Sequence, residues 1–136
     1  MPTSATLIYG QRDALLVDAF LTVEQAHALV EWVAASGKNL TTIYITHGHG
    51  DHFFGVGTLL ERFPRARAVA TPGVVAVMRQ QAAPEFVTTF WNARYPGQIP
   101  GRLVVASWSP RDRRRARGTC DRSRRPRPCR NRPRAH

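Results

Sequence analysis

Three imidazoles and one carboxylate, His47, His49, Asp51 and His52, fall within the short stretch Thr46-His47-Gly48-His49-Gly50-Asp51-His52. Imidazole nitrogen and carboxylate oxygen are the donors that zinc and similar divalent ions prefer. The run Thr41-Thr42-Ile43-Tyr44-Ile45, apolar and rich in β-branched residues, leads directly into the cluster. At a strand end, residues two apart point the same way, so His47, His49 and Asp51 can converge and His52 can swing in as the chain turns. Gly48 and Gly50 carry no Cβ, which lets the backbone bend tightly and approach a ligand. A histidine-rich turn without metal is the competing reading. It is disfavoured, because donors crowded this closely repel once charged and gain little unless a cation organises them.

The pattern Thr46-His47-x-His49-x-Asp51-His52, followed by Gly55, resembles the metal-binding motif of the metallo-β-lactamase superfamily. The resemblance implies that His47 and His49 hold one ion and that Asp51 and His52 hold a second. It implies Zn2+, two ions in a complete homologue, with iron or manganese as alternatives. It further implies a metal-activated water attacking an ester, amide or phosphoester-type bond of a small-molecule substrate, with Asp51 orienting the water.

Several elements must position this cluster. Residues 5–9 read as a short strand, Gly10–Asp13 as a turn, and Ala14–Ala19 as an apolar strand buried on both faces. Asp18 ends that strand; it reads either as a polar strand-end residue or, by the resemblance, as a support for the metal ligands. The family places a small residue and glycine after this aspartate, where this chain has Ala19-Phe20. Thr22 and Gln25 form a capping box for a helix whose apolar face is Val23, Ala26, Val30, Val33 and Ala34, with Gly37 as its C-terminal cap. His27 on this helix is given no role. After the ligand loop, Phe53–Phe63 reads as one helix, Ala66–Thr71 as a strand, and Pro72 onward as a helix ending at Pro84. Residues 85–95 read as helical, with Phe86, Phe90 and Trp91 packing a core or forming a pocket wall. Leu103–Ala106 reads as a further strand. The order β-β-α-β-α-β-α-(α)-β is an α/β pattern. It matches the first half of the αββα sandwich that the resemblance implies.

Charge divides the chain in two. Residues 1–108 hold eight Lys+Arg and seven Asp+Glu, a net of +1, whereas residues 109–136 hold twelve Arg and two Asp, a net of +10. The tail lacks Leu, Ile, Val and Phe, so it cannot bury enough apolar surface to offset its ordering entropy, and disorder is expected. Two readings compete for it: an arginine-rich arm that binds nucleic acid, or out-of-frame translation of GC-rich DNA. The composition changes in mid-strand, which favours the second. No specific nucleic-acid partner is then expected. The cysteines, Cys120 and Cys129, both lie in the tail at no redox or zinc-knuckle spacing. No membrane-length apolar run or signal-peptide layout is present, so a cytoplasmic location is the default expectation.

After His52 the only histidine is His136, and the later carboxylates are Glu61, Glu85, Asp112 and Asp121. None stands in a context resembling the family's downstream ligand motifs. The expectation is half of a dinuclear site and an impaired, truncated hydrolase.

Overall fold

The computed structural model describes residues 2–109. The expectations for the basic tail therefore lie outside the described residues, Ser109 excepted. The ligand loop hangs from β3 (Asn39–Tyr44), the third strand of a four-stranded sheet in chain order. Strand β1 (Thr6–Tyr9) pairs antiparallel with β2 (Asp13–Val17) across a turn closed by Gly10 N–H to Asp13 O. β2 and β3 run parallel, as do β3 and β4 (Arg67–Val69).

The register of β3 explains its burial. Ala14 pairs with Leu40 but Leu15 pairs with Thr42, so Thr41 is an extra residue in the ladder. That bulge resets the pleat by one. It lets Leu40 and Ile43, three apart, both be buried against the helices. An unbulged strand would aim them at opposite faces.

The parallel connections are helical. Helix α1 (Val23–Ala35) begins at the expected capping box, with Thr22 Oγ1 accepting from Gln25 N–H and Gln25 Oε1 accepting from Thr22 N–H. It buries Ala26, Leu29, Val30 and Val33, and Gly37 follows it at φ 67°. The second crossover is not one helix over 53–63. It is α2 (Gly50–Phe53) and α3 (Val56–Arg62), separated at Phe54-Gly55. There the backbone meets the β2–α1 connection: Gly55 N–H donates to Phe20 O, and a Cβ on Gly55 would collide with the Ala19 carbonyl. Helix α4 (Pro72–Gln81) is capped by Thr71 and buries Val75 and Met78. Residues 84–94 continue as α5 (Pro84–Phe86), a π-helical turn (Val87–Trp91) and α6 (Asn92–Arg94).

Leu16, Ile43, Ile45, Val33, Leu59, Phe53, Phe54 and Met78 have essentially no solvent exposure and belong to one cluster on the helical side of the sheet. Each such side chain contributes about 1.5–3 kcal/mol of transfer free energy. The other face is open. Leu15 and Val17 are only half-buried, contrary to the two-sided burial expected of β2, because no second sheet covers them among the described residues. Leu103–Ala106 also departs from expectation. Only Ser107 joins the sheet, bridging to Val69, while Arg102 and Val104 lie over α3 against Gly57 and so stand off the ladder. No helix among the described residues is long and apolar enough to cross a membrane.

Candidate metal centre

Two chain ends meet beneath the ligand loop. β2 ends at Asp18, whose N–H donates to Tyr44 O at 2.9 Å, and β3 runs on through buried Ile45 to Thr46. Asp18 is itself buried, at 6% exposure, and has a left-handed backbone, φ 64°. Aspartate is one of the few non-glycine residues that visit this region readily. Phe20 does so too, at φ 62°. The chain thus takes at Phe20 the backbone shape that a glycine would adopt freely, and an L side chain there costs roughly 1–2 kcal/mol. Ala19 N–H then donates to His52 O at 2.7 Å, tying this bend to the far end of the ligand loop.

The Asp18 carboxylate organises the centre. Oδ1 accepts from Thr46 N–H at 2.9 Å, and Oδ2 accepts from Thr46 Oγ1 at 2.6 Å and pairs with His52 Nδ1 at 3.0 Å. A carboxylate only accepts, so His52 presents a protonated Nδ1 to Asp18, and in the neutral ring the lone pair then lies on Nε2. Of the two readings open for Asp18, the supporting role is the one its contacts fit.

The four ligand candidates come together as two pairs. His47 Nε2 and His49 Nδ1 are 2.7 Å apart, and His52 Nε2 lies 3.8 Å from Asp51 Oδ2. The pairs adjoin, with the His47 and His52 ring centroids 5.1 Å apart. Two nitrogens bound at about 2.0–2.1 Å to one tetrahedral ion stand about 3.3 Å apart. The first pair must open by a few tenths of an ångström, and the second must close by a similar amount. The donor types suit a divalent ion in each pair, and each spacing lies about half an ångström from the bound value, the first pair being within hydrogen-bond distance. The set is not closed, for among the described residues no three His, Cys, Asp or Glu side chains surround a common point. His27 is exposed on α1 and takes no part.

The glycines of the loop are sites of close packing rather than of left-handed backbone. Neither Gly48 nor Gly50 has a positive φ. Both are sites of close packing: a Cβ on Gly48 would stand 2.5 Å from Val77 Cβ, and one on Gly50 would stand 2.8–2.9 Å from the Phe54 and Trp91 rings. The loop is pressed onto α4 and the π turn from one side. Gln81 was not singled out by the sequence, and nothing in its neighbours signals it. Its Oε1 accepts from Gly50 N–H at 3.4 Å and from Trp91 Nε1–H at 3.1 Å. A cleft of about 480 Å³ opens beside Asp51, lined by Thr22, Gln25, Trp91, Tyr95 and Gln98. Trp91 is therefore both core and wall. A separate groove of about 890 Å³ lies on the open sheet face, among Tyr9, Leu15, Tyr44 and Val69, and none of the four ligand candidates lines it.

The family model of the metallo-beta-lactamase superfamily matches residues 1–116. The chain belongs to that superfamily. It is 34% identical over 67 residues to a hydroxyacylglutathione hydrolase of Francisella tularensis subsp. holarctica, covering 49% of this chain and 25% of that protein. It is 31% identical over 87 residues to a hydroxyacylglutathione hydrolase of a Synechococcus species, covering 58% of this chain and 34% of that one. The chain thus spans about a quarter to a third of the length of these relatives. Among solved structures, the metallo-beta-lactamase SMB-1 superposes with a TM-score of 0.54 at 22% identity over 77% of this chain and 39% of its own. The mono-zinc form of FIM-1 from Pseudomonas aeruginosa superposes at 0.52 with 17% identity, over 76% and 36%. These likenesses establish that this superfamily member has the α/β fold over its first part.

Proposed function

We propose that this chain is a metal-dependent hydrolase whose described residues supply half of a dinuclear zinc site. The observation that carries the reading is the meeting of His47 Nε2 with His49 Nδ1 beside the Asp51–His52 pair. Its hydrolase relatives and the zinc-bearing structure among its fold neighbours support it. His47 and His49 would hold one ion and Asp51 and His52 the other. Bound zinc supplies a more acidic water and a Lewis acid for the scissile bond.

The chain's own residues do the rest. Asp18 fixes the tautomer of His52 and, through Thr46, the root of the loop. Asp51 orients the attacking water by accepting its hydrogen bond. The cleft between Thr22, Gln25 and Trp91 gives a small-molecule substrate an apolar wall and polar anchors. No side-chain nucleophile is required. The bond class is an ester, amide or phosphoester type, with the thioester implied by the relatives' name a natural first test. Each pair offers two protein ligands where a catalytic zinc usually has three, so weak zinc binding and slow turnover are expected of this chain alone.

The test is hydrolysis of a glutathione thioester, a carboxylic ester and a phosphodiester by the full chain with added zinc. Slow, chelator-sensitive turnover that is lost in His49→Ala supports the proposal. Turnover unchanged by the chelator and by His49→Ala overturns it, as does the absence of turnover on all three.

A further inference from the structure

We propose that Gln81 and Trp91 form a bracket that sets the position of the metal-binding loop, with the Gln81 side-chain carbonyl as its pivot. The inference rests on the metal-site reading above and extends it to residues outside the motif.

Gln81 Oε1 takes two hydrogen bonds, from Gly50 N–H and from Trp91 Nε1–H. Two donors aimed at one atom require an acceptor there, which fixes the orientation of the amide. Gly50 lies between His49 and Asp51, one ligand candidate from each pair. Its N–H is thus the backbone group best placed to set the spacing of both. Trp91 adds a steric stop on the same residue, since the space a Gly50 Cβ would need is filled by the indole. The indole is held in turn by edge contacts to Phe54 and Phe90, with ring centroids 5.4 Å and 5.0 Å away, and is 7% exposed. The wider π turn at Val87–Trp91 carries it. Asp18 grips the loop at Thr46 and His52; Gln81 and Trp91 grip it at the centre. The 3.4 Å bond to Gly50 is long. Gln81 is a positioning residue: its hydrogen bonds reach Gly50 and Trp91 rather than a ligand candidate.

The experiment compares the full chain with Gln81→Met, which keeps the side-chain length but removes the acceptor, and Gln81→Glu, which keeps it. Amide and indole hydrogen exchange at Gly50 and Trp91 is read in the metal-free chains by NMR, and zinc affinity by competition with a chromophoric chelator. Gln81→Met is expected to speed exchange at both sites by roughly fivefold to tenfold and to weaken zinc about tenfold. Gln81→Glu is expected to restore both. Unchanged exchange at Gly50 in Gln81→Met overturns the bracket. Faster exchange with unaltered zinc affinity overturns its positioning role while leaving the metal reading intact. If the unsubstituted chain takes up no zinc, the metal reading fails and the positioning role with it, whereas the exchange data still report whether the bonds to Gln81 exist.

Discussion

Asp18→Asn separates what Asp18 does for stability from what it does for the metal. Asparagine keeps the size of the side chain and tolerates the left-handed backbone at φ 64°. It replaces one accepting oxygen with a donating amide. If the amide took the place of Oδ1 it would face Thr46 N–H, donor against donor, so it must take the place of Oδ2. Thr46 Oγ1 can then rotate to accept. His52 Nδ1 can accept only in the tautomer that carries its proton on Nε2, the nitrogen that faces Asp51. The three bonds that the carboxylate accepts all lose their charge assistance at a buried site, so the unfolding free energy should fall by about 1.5–3 kcal/mol. Zinc affinity should fall by about 10- to 100-fold, because Nε2 must give up its proton before it can bind the ion. Urea unfolding reads the first effect and chelator competition the second. Long-range proton–nitrogen NMR reads the tautomer directly, with Nδ1–H in the parent and Nε2–H in Asp18→Asn. An unchanged tautomer together with unchanged zinc affinity would refute this reasoning.

Three further substitutions test separate parts of the account. Gly55→Ala forces a methyl onto the Ala19 carbonyl and should lower the urea midpoint by the equivalent of about 1–3 kcal/mol. Gly48→Ala drives a Cβ into Val77 and should shift the loop, weakening zinc binding in the same competition assay more than it lowers the thermal midpoint. Thr22→Ala removes the capping hydrogen bond of α1 and should cost about 1 kcal/mol by denaturant unfolding, without altering zinc affinity.

The ligand candidates could be picked out from the chain because they are local. His47, His49, Asp51 and His52 follow one strand, and their convergence needs only that strand to end where it does. The capping box at Thr22 and the cap at Gly37 were legible for the same reason. What escaped depends on distant contacts. Gln81 reaches the loop across 31 residues and carries no local mark. The break between α2 and α3 arises where Gly55 meets the 18–20 bend, so the apolar spacing over 53–63 reads straight through it. The bulge at Thr41 is set by the partner strand. Leu103–Ala106 has strand composition, yet its residues pack on α3 before the chain reaches the sheet at Ser107. The loop glycines show how one residue type answers several demands. Their lack of a side chain serves packing against Val77 and Trp91, not a turn.

Zinc uptake by equilibrium dialysis reads the metal site itself, using the full chain, a variant lacking His47 and His49, a variant lacking Asp51 and His52, and one lacking all four. The parent should show saturable uptake that a modest chelator reverses. Each paired substitution should lower it, and removing all four should leave only unsaturable background. Equal uptake by the parent and the fourfold variant would show that these side chains do not hold the metal.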